Sequence, residues 1–144
     1  MGFLVRDEIS LVTSASPEVC YQLLIQSQDV NHWWRGVQSR IEGPSPWAAG
    51  TRIFYQGRLG RPRWECELKE VIPNKLIEGY YMGGDFRGAE AWEFEPVGDG
   101  ARLVHRWLGI EAATPVGRAL RFSLGGRLHS YLFTNALEGL ARLR

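Results

Sequence analysis

Between residues 37 and 110 the chain divides into six strand-length segments joined by short turn signals, and this succession limits the fold more than any other feature of the sequence. The segments are 37–42, 51–56, 64–72, 75–82, 87–95 and 102–110. The third shows the period-two pattern of a half-buried strand, with Trp64, Cys66 and Leu68 alternating against Glu65, Glu67 and Lys69. Gly43-Pro44-Ser45-Pro46, a tip at 57–62, Pro73-Asn74, Gly83-Gly84-Asp85 and Pro96-Val97-Gly98-Asp99-Gly100 punctuate the series, and Asp99-Gly100 is a hairpin cue. A parallel crossover needs about a dozen residues or more, and no connection here is that long. The six segments therefore read as an antiparallel meander.

Different patterns flank the meander. Residues 3–13 alternate Phe3, Val5, Asp7, Ile9 and Leu11 against Leu4, Arg6, Glu8, Ser10 and Val12, which gives one further strand with a mixed and an apolar face. Ser16 offers a capping hydroxyl, Pro17 suits a first helical turn and Glu18 complements the positive helix end, so 17–26 reads as a short helix. Its apolar side carries Val19, Cys20, Leu23 and Leu24, and a second helical turn is expected at 30–34. From Thr114-Pro115 onward the pattern predicts one long helix to the end of the chain. Steps of about 100° per residue place Phe122, His129, Phe133, Ala136, Leu140 and Leu143 on one side, with Ser123, Arg127, Ser130, Thr134 and Glu138 opposite. Each glycine of Gly125-Gly126 costs that helix about 1 kcal/mol, which a close sheet approach, a bend or room for a ligand would offset. The expected architecture is α+β: a seven-stranded curved antiparallel sheet around a long C-terminal helix, with two short helices after the first strand, in one domain over 1–144.

An apolar content of 44% in 144 residues is enough for one sizeable core. Seventeen basic and sixteen acidic side chains leave a formal charge of +1, so no overall field draws the chain to nucleic acid or an anionic membrane. The first ten residues carry Arg6, Asp7 and Glu8 where a secretory leader needs an apolar run, and Arg6 stands where a myristoylation signal at Gly2 wants Ser or Thr. No apolar run approaches a membrane span. Cys20 and Cys66 are far apart and outside any CxxC or Cys/His cluster, so neither a disulfide framework nor a metal site is signalled. Gly83-Gly84-Asp85 lacks the GxGxxG spacing, and no nucleophile elbow is present. A cytoplasmic protein without cofactor or metal is the expectation. Aromatic residues make up 12% of the chain, six of them tryptophan, and large rings line cores or pockets because leaving them in water is costly.

The order of strand, two short helices, meander and long terminal helix resembles the helix-grip domains of the START-like or Bet v 1-like (SRPBCC) superfamily. Within it, the chain looks like the bacterial polyketide cyclase/dehydrase-type branch. The resemblance is carried by ISLVTSASPEV at 9–19, Trp33-Trp34, GAEAWEFEP at 88–96, GDGARL at 98–103 and the apolar terminal helix, and it covers nearly the whole length. It implies a sheet wrapped around the terminal helix, with a cavity between them that in relatives accepts lipids, sterols, quinones or polyketides. Some relatives catalyse ring closure or aromatisation, whereas others carry, sense or deliver a ligand. No compact catalytic signature maps residue by residue from the cyclases onto this chain.

Trp33, Trp64, Tyr80, Trp92 and Trp107 are the candidate pocket walls, joined from the helix by Phe122, Gly126, His129 and Phe133. Core packing explains any one of these rings; their collective excess points to a pocket. His129 has two open readings: a polar anchor in an apolar pocket, or a core histidine satisfied by a carbonyl or a neighbouring strand. His105 shares a strand face with Leu103 and Trp107, and Glu90 with Trp92 and Phe94. A buried carboxylate beside an imidazole supports acid/base chemistry. Strand parity does not bring the two together, however, and the simpler expectation leaves one or both at a cavity mouth or in water. Arg58, Arg61 and Arg63 on the hairpin tip, and Arg118, Arg121 and Arg127 on the helix, read as solvated surface, with an acidic head group or a protein as the alternative.

Three functions follow from these residues. The first is noncatalytic binding or transfer of a small hydrophobic ligand of lipid, quinone or polyketide type. The second is a cyclase/dehydratase-like enzyme using His129, His105 or Glu90 as proton donor or acceptor. The third is a protein-interaction module. The implied partner is a small hydrophobic molecule, with no nucleic acid and no stable membrane insertion; the sequence leaves a protein partner or a homodimer open.

Overall fold

The structure, a computed structural model, describes residues 6–122 and 127–142. Its elements run β1 (Arg6–Thr13), α1 (Pro17–Ile25), a 3-10 turn (Val30–His32), β2 (Val37–Glu42), β3 (Arg52–Gly57), β4 (Arg63–Ile72), β5 (Leu76–Gly84), β6 (Phe86–Val97), β7 (Gly100–Ala112), α2 (Pro115–Phe122) and α3 (Leu128–Arg142). The strands form one antiparallel sheet in the order β1-β7-β6-β5-β4-β3-β2. β2 to β7 pair as a meander, and β1 adds at the remaining edge of β7, with Ile9 opposite His105. The seven-stranded α+β architecture read from the sequence is the one the chain adopts.

Local chemistry explains the joints. The Ser16 hydroxyl accepts from the Val19 N–H at 3.3 Å and Pro17 opens α1, so an orphan helix donor is satisfied where the chain leaves β1. Asp29 Oδ1 accepts from the N–H groups of Asn31 (2.9 Å) and Ser39 (3.0 Å), capping the 3-10 turn and tying it to β2 with one carboxylate. In the β6–β7 hairpin the turn residues are Gly98 and Asp99, between the paired Val97 and Gly100. The Asp99-Gly100 cue thus marks the hairpin one residue late, because Gly98 takes the positive φ of 57°.

The C-terminal region departs from the single long helix. Among the described residues it forms two segments, α2 and α3; Ser123, Gly125, Gly126 and Leu143 lie outside the described residues. α3 starts its own hydrogen-bond ladder at Arg127, whose carbonyl accepts from the Tyr131 N–H at 2.9 Å. α2 is anchored separately: the Thr114 hydroxyl accepts from the Gly117 N–H at 2.9 Å and donates to Asp85 Oδ1 at 2.6 Å. The buried Asp85 carboxylate also accepts from Arg61 Nε and the Arg63 N–H, both at 2.9 Å, so it joins the β3–β4 tip to the start of α2. The split corrects the expected helix face in one place. His129, Phe133, Ala136 and Leu140 are buried and Arg127, Ser130, Thr134 and Glu138 exposed, as the wheel predicts, but Phe122 belongs to α2 and is 75% exposed.

α3 packs against β1, β7 and α1, and its last turn lies on the backbone of Trp33. Gly139 permits that contact, since a Cβ there would stand 1.8 Å from the Trp33 carbonyl oxygen. Gly139→Ala is therefore expected to destabilise the chain by about 1–3 kcal/mol through overpacking, read as a lower urea midpoint at unchanged slope; an unchanged midpoint would mean that α3 is not seated here.

Candidate functional site

Because odd-numbered positions of β5 and β7 and even-numbered positions of β4 and β6 face the same way, the concave side of the sheet collects large rings against α3. Trp34 sits among them, its ring centre 4.8 Å from Phe133, 5.5 Å from Tyr55 and 6.2 Å from both Trp64 and Trp92. Its indole N–H donates to the Leu132 carbonyl at 3.0 Å, fixing the ring to α3. These rings pack between sheet and helix, where the resemblance implies a cavity.

Of the candidate pocket residues, Trp33, Trp64, Trp92, Trp107, His129 and Phe133 are buried on this side. Tyr80 is not with them: it projects from the other face of β5 and is 52% exposed, whereas Ile77, Gly79 and Tyr81 point inward. Phe122 is also outside the cluster, and Gly126 lies outside the described residues.

Within the rings runs a chain of polar groups. Glu90 and His105, expected at a cavity mouth or in water, are instead fully enclosed and bonded to each other, His105 Nε2 lying 2.9 Å from Glu90 Oε1. The cause is register. β6 and β7 pair Glu90 with Trp107 and Trp92 with His105, which sets the carboxylate and the imidazole diagonally on the inner face. The same carboxylate accepts from the Tyr81 hydroxyl at 2.7 Å and from the Cys66 thiol at 3.2 Å, while the Trp107 indole N–H donates to the Tyr81 oxygen at 2.8 Å. Gly79, opposite Glu90 on β5, makes room for this, because a Cβ there would meet Cys66 Sγ at 2.6 Å. On the other side His105 Nδ1 stands 2.8 Å from His129 Nε2, and Phe133 stacks on His105 at 3.6 Å with planes 7° apart, holding the imidazole in line.

The protonation states follow from these partners. Burial alone would raise the Glu90 carboxyl, but the donors His105, Tyr81 and Cys66 outweigh it and hold the group below the ordinary carboxylate range. The Cys66 thiol and the Tyr81 phenol are pushed well up, first by burial and then by the Glu90 charge, so both remain donors. Burial lowers His105 against the pull of Glu90, keeping it neutral. A neutral His105 that donates from Nε2 to an ionised Glu90 has a lone pair on Nδ1, so His129 donates from Nε2 to it. Every hydrogen bond of the chain thus points toward Glu90.

Burial lowers His129 to about 2, and the neighbouring His105 and the Arg121 charge push the same way. Arg121 is itself held by Asp7 at 2.7 Å and lies 5.3 Å over the Trp107 ring, so it is part of the packing and not the solvated cation expected from the sequence. A histidine depressed in the folded state stays neutral while the unfolded one, at its ordinary value of 6.5, takes up a proton. The stability that His129 contributes is therefore complete above that value and is lost as the pH falls through the window down to about 2. At about 1.4 kcal/mol per pH unit, roughly 2 kcal/mol should be lost on going to about pH 5. Urea denaturation at neutral pH and in mild acid measures this. His129→Asn should flatten the dependence in part, the remainder belonging to His105, which burial also lowers, and an equally steep slope in the variant would assign the proton to another group.

Tyr55 Oη, Trp64 Nε1 and Trp92 Nε1 are buried without a hydrogen-bond partner among the described residues. Sequence parity reached some of this site: the β4 alternation already grouped Cys66 with Trp64 and Leu68. Tyr81, Trp34 and Tyr55 were missed, and continuing the inward parity of β5 from Ile77 would have found Tyr81. Two surface pockets border these rings, the first lined in part by Tyr55 and Trp64 and the second by Trp33. One, of about 550 Å³ on the outer side of β2–β4, includes Arg40 stacked 4.3 Å over Phe54. The other, of about 300 Å³, lies beside Trp33 at the end of α3.

No protein-family model and no curated protein sequence matches the chain. Solved structures do match it. Protein TTHA0849 from Thermus thermophilus superposes with a TM-score of 0.76 at 26% identity, over 95% of this chain and 94% of its own. The KanY protein superposes with a TM-score of 0.72 at 14% identity, over 98% and 97% of the two chains. Aha1 from Colwellia psychrerythraea, solved as a dimer, gives 0.60 at 20% identity over 93% and 96%. The curved antiparallel sheet closed by a C-terminal helix is thus a helix-grip-like fold, resembling that of ligand-binding helix-grip proteins.

Proposed function

We propose that the chain binds a small, flat, apolar molecule bearing hydrogen-bond acceptors, of quinone or polyketide-like chemistry, between the concave face of the sheet and α3. The observation that carries this reading is the set of unpartnered polar atoms on Tyr55, Trp64 and Trp92, all enclosed and all around Trp34. A buried donor left unmade costs about 1–3 kcal/mol, and two indole N–H groups and a phenol facing the same ring cluster suit carbonyl oxygens on an aromatic ligand. The surrounding rings supply the apolar area, and entry requires Trp34 or Phe133 to turn aside. Native mass spectrometry of gently purified protein, followed by solvent extraction, tests the reading. A reproducible one-to-one adduct with acceptor oxygens supports it. Trp92→Phe keeps the ring and removes the donor, so it should weaken binding of that molecule about tenfold; equal affinity would remove Trp92 from the site.

The outward chain from Glu90 through His105 to His129 favours a second reading, an acid/base enzyme. A substrate proton taken at His129 Nδ1 releases the Nε2 proton to His105 Nδ1, whose Nε2 proton passes to the Glu90 carboxylate. One proton enters, one carboxylate is neutralised, and no other group changes charge. Glu90→Gln keeps the shape and blocks the last transfer. In this reading the variant binds the extracted molecule but no longer converts it, whereas retained turnover excludes the relay.

A further inference from the structure

The 3-10 turn, the β3–β4 tip and the last turn of α3 meet around a pocket of about 300 Å³ lined by Arg35, Arg58, Arg142, His32 and Asn31, with Trp33 and Gly139 beneath. The three arginines come from segments far apart in the chain, so no local run of charge explains their meeting. Among the described residues no carboxylate lines the pocket. Arg35, Arg58 and Arg142, like Arg63, Arg87, Arg118 and Arg127, have no ion-pair partner among the described residues, whereas Arg40, Arg52, Arg61, Arg102, Arg106 and Arg121 each face an acidic side chain; what sets the three apart is that they share one pocket. The end of α3 contributes a partial negative charge of about one half, far less than three full positive ones. Guanidinium groups gathered in this way repel one another, and each offers a planar fork that fits carboxylate or phosphate oxygens.

What lies under the pocket sets the rest of the ligand. Trp33 is 6% exposed, stacks on Trp34 at 5.9 Å and meets Trp92 edge-on at 6.5 Å, so this ring separates the arginines from the interior cluster. Its N–H donates to the Ser27 hydroxyl at 2.8 Å, which fixes the ring's edge, and the residue both lines the pocket and touches the interior rings. Gly139 lines the pocket and brings α3 onto the Trp33 backbone.

We infer that this pocket takes the oxyanion head, a carboxylate or a phosphate, of an amphipathic ligand whose apolar body packs at Trp33. The inference rests on the reading that the chain binds a small apolar molecule, and it adds an acidic group to that molecule. Calorimetric titration of the full chain with 2-naphthoate, 2-naphthyl phosphate, neutral 2-naphthamide and inorganic phosphate tests it. The two naphthyl anions should bind about ten- to a hundredfold more tightly than the amide, and the gap should shrink as salt rises. The stronger of the two identifies the head group. In Arg58→Gln/Arg142→Gln, whose substituted side chains are exposed and whose urea midpoint should be unchanged, the gap should close. If the amide binds as tightly as the anions, or the gap survives in the variant, the inference is overturned while apolar binding stands. If inorganic phosphate binds as well as naphthyl phosphate, the apolar body is excluded and the inference falls, as it does if none of the four binds; the interior reading stands or falls separately on the native adduct.

Discussion

His105→Ala is expected to cost about 3–5 kcal/mol of folding stability, because it leaves the buried Glu90 charge without its imidazole donor and opens a cavity among the rings. The Glu90 carboxylate loses the imidazole donor at 2.9 Å, His129 loses the acceptor at 2.8 Å, and both stay enclosed among aromatic rings where water does not replace the missing bonds. Replacing the partners together should hurt less. Glu90→Leu with His105→Phe removes the charge as well as its donor, so the double variant should fall short of the summed single losses by about 1–3 kcal/mol. Urea midpoints for the four proteins give this coupling directly. Additive losses would show that the two groups are not joined, and would remove the basis for a relay.

Trp34→Ala should be comparably severe, at about 3–5 kcal/mol. This fully buried indole touches Trp33, Tyr55, Trp64, Trp92 and Phe133 and also donates to the Leu132 carbonyl. Trp34→Phe keeps a ring but gives up the hydrogen bond and part of the volume, so a loss of about 1–3 kcal/mol is expected. Near-ultraviolet circular dichroism should lose intensity in both variants, because the coupled rings lose their shared neighbour. A loss below about 1 kcal/mol for Trp34→Ala would mean that the interior has room to spare around this ring.

The two buried clusters differ in how far they could be read in advance. Parity grouped Glu90 with Trp92 and Phe94, and His105 with Leu103 and Trp107, which is correct for each strand. It does not say that residue 92 pairs with residue 105, and that pairing alone sets Glu90 diagonal to His105. The expectation that they face water followed from the ordinary cost of burying a carboxylate. It failed because Tyr81, Cys66 and His105 converge on the carboxylate from three strands. Phe122 failed for a different reason: the wheel assumed one continuous helix, whereas Asp85 anchors α2 and Arg127 restarts the ladder of α3.

By itself the sequence determined the number and antiparallel sense of the strands, the capped start of α1, the start of α2 at Thr114-Pro115, and the buried face of α3. These depend on periods, turn residues and caps, whose physics is local and acts within a few residues. Only the tertiary structure decided that Glu90, His105 and His129 form one hydrogen-bonded line, that Trp34 packs against Phe133 of α3, and that Arg35, Arg58 and Arg142 share one pocket. Those arrangements depend on strand register and on where the last helix lies across the sheet. Both are fixed by packing between segments distant in the chain, which no local pattern encodes.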